Sequence, residues 1–171
     1  MICRRNLHLK EKVAEKLTMG KDYLAFFCNS GTEANEAAIK LARKATGRSK
    51  ILSFEQSFHG RTYGALSATG QPALQAGFFP IVEGVEYLPH NQLEPLKQQL
   101  NEQVAAVMLE VIQGEGGIIP AEKEWLQAVA QLCKENGSLL IIDEIQTGMG
   151  RTGTFFAFED YQIEPDIITI A

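Results

Sequence analysis

Cysteine is scarce in this sequence: Cys3, Cys28 and Cys133 are the only three in 171 residues, far apart and without paired spacing. An odd, scattered set excludes a disulfide framework and a zinc site, leaving three ordinary thiols and no expected metal. No apolar run approaches the roughly 20 residues that a membrane-spanning helix needs, so no membrane is expected as a partner. Positive charge is also short, with 16 Lys and Arg against 21 Asp and Glu and a formal net charge of -5. Such a balance provides no basic stripe to follow a phosphate backbone, and nucleic acid is not an expected partner. Repeats, low-complexity tracts and linkers are missing, which leaves a single domain. The basic start, Met1-Ile2-Cys3-Arg4-Arg5-Asn6, runs into Glu11 and Glu15 rather than into an apolar core. That order argues against a targeting peptide and for a cytoplasmic protein.

What is present is an ordinary folding composition, 45% apolar and 22% charged, which excludes disorder as the default. Leu9, Val13 and Leu17 recur every four residues, as on an amphipathic helix that Gly20 ends. Tyr23–Cys28 reads as a buried strand. Ala34–Ala45 is rich in helix formers and closes on Gly47. Lys50–Phe54 reads as a strand, and Gln56–Gly77 resists assignment. The alternation then repeats: a helix over Gln92–Glu102, a strand over Val104–Ile112, a helix over Glu122–Asn136, a strand over Ser138–Asp143 and a last apolar run, Asp166–Ala171. Continuous apolar strands separated by helices predict an α/β fold, a mostly parallel sheet with helices on both faces.

Ligands of such sheets gather at the carboxyl ends of the strands, and there this sequence is polar and glycine-rich. Ser30, Gly31 and Thr32 stand between a strand and a helix start, where free amides and the helix dipole favour an anion such as phosphate; a plain helix cap uses the same residues. Asp143 closes an apolar run, so its carboxylate sits at the sheet's rim and needs a partner. A protonated heterocyclic nitrogen suits it, and so does a cap or an ion pair within the protein. Phe58-His59-Gly60-Arg61 joins an aromatic face, a polar ring and a cation, the makings of a site that stacks a flat cofactor and grips a carboxylate, or of a buried Phe beside a surface Arg. Glu110 and Glu115 flank a glycine turn, as a gate or support for the site or as exposed loop carboxylates. His8 and His90 have no partners in a ligand pattern.

Together the stretches NSGTEANEAAIKLAR, SFHGRTYGALSATG, EVIQGEGG and DEIQTGMGRTGTFFAFE resemble, in order and approximate spacing, the class III (ornithine-type) aminotransferases, from about Val13 to Ala171. Motifs of that length in sequence are very specific. The resemblance implies the large domain of a fold-type I pyridoxal-phosphate-dependent transferase, homodimeric, acting on an amino donor and a 2-oxo acid. The pattern is most similar to members that move the side-chain amino group of N-acetylornithine to 2-oxoglutarate in arginine biosynthesis. Members acting on ornithine, succinylornithine or 4-aminobutyrate share much of the framework.

Position by position, the resemblance implies that Gly31 and Thr32 hold the cofactor phosphate and Phe58 stacks on the pyridine ring. Asp143 then keeps the ring nitrogen protonated, Gln146 contacts the ring hydroxyl, Arg61 grips the substrate α-carboxylate, and Glu115 is similar to a substrate-switching glutamate. Two departures stand out. Val111 replaces the proline usual after the glutamate matching Glu110. The family's catalytic lysine, which holds the cofactor covalently, follows the strand matching Asp166–Ala171, and neither Lys40 nor Lys50 matches it. Residues 1–171 are therefore expected to form one incomplete large domain, without the N-terminal segment or C-terminal small domain and inactive by themselves, at most holding pyridoxal phosphate noncovalently.

Overall fold

A computed structural model of the chain describes residues 23–171, together with Lys12 and Glu15. The helix expected around Leu9, Val13 and Leu17 lies outside the described residues. The elements run α1 (Gly31–Thr46), β1 (Lys50–Phe54), α2 (Tyr63–Ala68), α3 (Pro72–Gln75), β2 (Val85–Leu88), α4 (Leu93–Gln99), β3 (Val104–Glu110), β4 (Ile112–Gln113), β5 (Ile119–Pro120), α5 (Lys123–Asn136), β6 (Leu139–Glu144), a 3-10 turn (Ala157–Tyr161) and β7 (Ile167–Ile170). Five strands form one parallel sheet in the order β2-β1-β3-β6-β7. The α/β reading is correct in both class and strand direction.

Helices cover both faces because successive strand residues point to opposite sides. Ile51, Met108 and Ile141 turn toward Ala38, Ile39 and Ala42 of α1. Their neighbours Leu52, Leu109 and Ile142 join the other cluster, with Trp125, Leu126 and Val129 of α5. Ile142 is wholly buried there. Ile142→Val removes one methylene from a packed site and is expected to cost about 0.5–1.5 kcal/mol in urea unfolding.

The helix ends follow local chemistry. Ser30 caps α1 by accepting from the Glu33 amide, and Gly47 closes it with φ 69°, so the helix starts three residues ahead of the expected Ala34. Gly137, also at φ 69°, closes α5. The expected strand Val104–Ile112 stops at Glu110: the chain turns at Val111, whose carbonyl accepts from the Ala121 amide, and Ile112–Gln113 pairs with Ile119–Pro120 instead. The unassigned stretch holds the short helices α2 and α3.

The strand expected over Tyr23–Cys28 is a correction. The segment stays outside the sheet, with Leu24 98% exposed, and its Tyr23 hydroxyl donates to the Pro165 carbonyl ahead of β7. Apolar side chains favour extended backbone, but a strand also needs a neighbouring edge. A cavity of about 1010 Å³, lined by Tyr23–Gly31, the start of α1 and Asp166–Ala171, separates the segment from β7.

Candidate functional site

The carboxyl ends of β1, β3 and β6 bring three loops to the N-terminus of α1, and Asp143 lies where they meet. It is the penultimate residue of β6 and only 4% exposed. One carboxylate oxygen, Oδ2, accepts from His59 Nδ1 and Asn35 Nδ2, each at 2.7 Å. The other, Oδ1, accepts from the Ile145 amide at 3.1 Å and the Thr169 hydroxyl at 3.2 Å. An ionised carboxylate only accepts, so His59 carries its proton on Nδ1. The protein thus supplies Asp143 with partners of its own, and a ligand donor must share an oxygen with one of them. The Thr169 bond is the longest and its hydroxyl rotates freely.

Sequence reasoning passed over Asn35 and noted His59 only as a polar ring. Asn35 is 1% exposed on the face of α1 that also carries Ala38, Ile39 and Ala42. A polar residue on a buried apolar stripe is a signal readable without a structure. Its Nδ2 also donates to the His59 carbonyl at 2.7 Å, while its Oδ1 and His59 Nε2 find no partner among the described residues.

The N-terminus of α1 reaches the same place. A Cβ added to Gly31 would lie 2.8 Å from Ile145 Cγ2, so helix and β6 loop touch only because residue 31 lacks a side chain. The first amides of α1, including those of Gly31 and Thr32, have no intrahelical acceptor. Ser30 is a plain cap, whereas Thr32 reaches across to the next loop, where its hydroxyl meets the Thr62 hydroxyl at 2.8 Å. Glu36, also unremarked in the sequence, accepts from the Thr62 hydroxyl at 2.6 Å and from the amides of Gly64 and Ala65 at 2.7 and 3.0 Å. These bonds lash the loop after β1 to α1.

That loop presents Phe58, half-buried, and Arg61, exposed, with the guanidinium carbon 5.9 Å from the ring centre. Arg61 forms no hydrogen bond or ion pair among the described residues, so its donors are available. Gln146 and Glu115 are both exposed, and Gln146 Nε2 donates to Glu115 Oε1 at 3.4 Å. Glu110, at the end of β3, is buried and accepts from the Phe58 amide. Pairwise contacts thus link Gly31 to Ile145 beside Asp143, Thr32 to the loop of Phe58 and Arg61, Glu110 to that loop and to Gly114, and Gln146 to Glu115.

The donor set suits one kind of ligand: an anion at the amides of α1, a flat ring at Phe58, a cationic ring nitrogen at Asp143 and a carboxylate at Arg61. Pyridoxal phosphate with an amino-acid substrate has these features. The first amides of α1, which have no intrahelical acceptor, and the buried carboxylate of Asp143 fit such a group.

Comparison with known proteins agrees. Residues 3–171 match the model of the family described as aminotransferase class-III. The acetylornithine aminotransferase of Listeria innocua is 60% identical over 163 residues, 95% of this chain and 42% of that protein. Among solved structures, an (S)-enantioselective omega-transaminase from Thermomicrobium roseum superposes with a TM-score of 0.91 at 34% identity, covering 99% of this chain and 44% of its own. A taurine:2-oxoglutarate aminotransferase from Bifidobacterium kashiwanohense, solved with pyridoxal phosphate and glutamate, gives 0.93 at 31% identity, covering 100% and 44%. The chain spans less than half the length of each of these relatives.

Proposed function

The chain belongs to the class-III aminotransferase family, and on that premise we propose that a protein carrying it moves the side-chain amino group of N-acetylornithine to 2-oxoglutarate with pyridoxal phosphate. The observation that carries the reading is Asp143: a buried carboxylate at a strand end, held from behind by His59 and Asn35, beside a helix N-terminus.

In this reading the amides of Gly31 and Thr32 bind the phosphate, where the helix dipole adds to the attraction. Phe58 covers one ring face and the Gln146 amide meets the ring hydroxyl. Asp143 holds a proton on the ring nitrogen, with the Thr169 hydroxyl the contact displaced at least cost. The chemistry this cofactor supplies is an electron sink for the pair released when a substrate C–H bond breaks. Arg61 binds the substrate carboxylate, and Glu115, which accepts from Gln146 Nε2, takes the part of the substrate-switching glutamate that the resemblance implies. The identities to acetylornithine aminotransferases support the amino donor. The resemblance also carries a homodimer, and the charge order of the N-terminus a cytoplasmic location. Separately, among the described residues no helix is long and apolar enough to cross a membrane.

Residues 1–171 alone are proposed to bind the cofactor without turning it over. The resemblance implies a cofactor-bonded lysine at a position that neither Lys40 nor Lys50 matches. Adding pyridoxal phosphate to the purified 171-residue protein should shift the cofactor absorbance and raise the melting temperature, while N-acetylornithine and 2-oxoglutarate yield no glutamate above background. An unchanged spectrum sinks the binding claim, and steady glutamate production sinks the inactivity claim.

In an active protein carrying this sequence, Arg61→Ala is expected to raise KM for carboxylate substrates about ten- to a hundredfold. That is the loss of one charge-assisted hydrogen bond, about 1.5–3 kcal/mol. Steady-state kinetics showing an unaltered KM would remove Arg61 from the substrate site.

A further inference from the structure

Glu110 closes β3, is 4% exposed and contacts neither cofactor nor substrate in the proposed reaction. Its carboxylate accepts backbone amides from two separate loops: Oε1 from Phe58 at 2.8 Å and Oε2 from Gly114 at 3.4 Å. Residue 110 also stands directly opposite Asp143 in the ladder between β3 and β6. One side chain therefore spans the loop that bears Phe58 and Arg61 and the turn that bears Glu115, at the level of the central carboxylate.

We propose that Glu110 is a positioning residue, a clasp that ties the Phe58 loop to the Gly114 turn and sets both against Asp143. What the clasp positions, a ring face and a carboxylate subsite, rests on the aminotransferase reading. The clasp itself is a property of the fold.

Its chemistry makes it sensitive to pH. Burial pushes the Glu110 carboxyl up to about 7; His59 and the Phe58 amide oppose the rise, Asp143 adds to it, and the Gly114 amide opposes it weakly. A protonated carboxyl turns one oxygen into a donor and can no longer accept well from both amides. The two-amide clasp belongs to the ionised form and forms as pH rises through about 7. The ionisable groups around it are His59 from the loop after β1 and Asp143 from β6, while Glu55 and Glu115 of the flanking loops are exposed.

Nitrogen–proton correlation NMR of the cofactor-free protein, recorded on both sides of neutrality, tests this directly, with Glu110→Gln as the variant that cannot ionise. The Phe58 and Gly114 amides should titrate together with one midpoint near 7, and that titration should vanish in E110Q. Pyridoxal phosphate, titrated by absorbance, should bind E110Q about tenfold more weakly. Amides that titrate separately, or stay unmoved across the range, overturn the proposal, as does a joint titration that persists in E110Q or an unchanged cofactor affinity in that variant. Should E110Q fail to fold, the wild-type amides alone decide it. Joint titration without any cofactor binding would sink the aminotransferase reading and uphold the clasp, and cofactor binding with independent amides would do the reverse.

Discussion

Asp143→Ala is expected to destabilise the protein by about 3–5 kcal/mol, the usual effect of removing one member of a buried charged cluster. The loss has identifiable sources. His59 Nδ1 and Asn35 Nδ2 each give up their 2.7 Å acceptor, and the Ile145 amide gives up its own at 3.1 Å. All lie where water cannot easily replace the carboxylate, so each keeps its desolvation penalty without a bond. Asp143→Asn separates this structural role from the functional one. Its amide has the same shape, so the carbonyl oxygen still serves His59 and Asn35 and the Thr169 hydroxyl rotates to accept from the new NH2, while the Ile145 amide loses its acceptor. A smaller destabilisation, about 1–3 kcal/mol, is expected. The charge facing the cofactor nitrogen is nevertheless gone, and affinity for pyridoxal phosphate should fall about tenfold or more, the value of a charge-assisted hydrogen bond. Urea unfolding and an absorbance titration on the same two variants check both halves. An Asn variant that binds the cofactor as tightly as wild type would place the ring nitrogen elsewhere.

Asp143 was legible in the sequence because the signal is local: an apolar run that ends in a carboxylate marks the rim of a sheet. Its partners were not, because His59 and Asn35 lie 84 and 108 residues away in sequence, and only the closed fold selects them. The same division applies to the elements. β1 and α5 show through their apolar runs and their glycine stop, since both are buried by the structure they help to form. β2 was missed because it is the edge strand: Val85, Glu86 and Tyr87 are only half-buried, and Glu86 faces Lys50 at 2.7 Å, so the continuous apolar signature of an interior strand is absent. Tyr23–Cys28 failed in the opposite sense. Its apolar character is real, but the edge that would make it a strand is a matter of tertiary placement.

Gly60→Ala is expected to cost about 2–6 kcal/mol, and the reason separates two kinds of glycine in this chain. Gly60 joins the ring-bearing half of its loop to Arg61, with φ 131°, a conformation outside the left-handed helical well that other residues sometimes occupy; strain there is worth about 1–3 kcal/mol. Space is short as well. A Cβ at residue 60 would stand 2.2 Å from Thr32 Oγ1 and 2.6 Å from Thr32 Cβ, and crowding in a packed site adds about 1–3 kcal/mol. Thr32 cannot swing aside freely, since its hydroxyl is engaged with Thr62 at 2.8 Å, and Thr62 is engaged in turn with Glu36. Gly47 provides the control. It has φ 69° with nothing within 4 Å of an added Cβ, so Gly47→Ala meets only the left-handed penalty, about 1–2 kcal/mol. The two variants also part in function. Gly47→Ala acts at the far end of α1 and should leave cofactor affinity unchanged, whereas Gly60→Ala pushes on Thr32 and on the loop that carries Phe58 and should weaken it. Equal unfolding costs for the two substitutions, or a cofactor titration that does not distinguish them, would show that the Thr32–Gly60 contact does not shape the site.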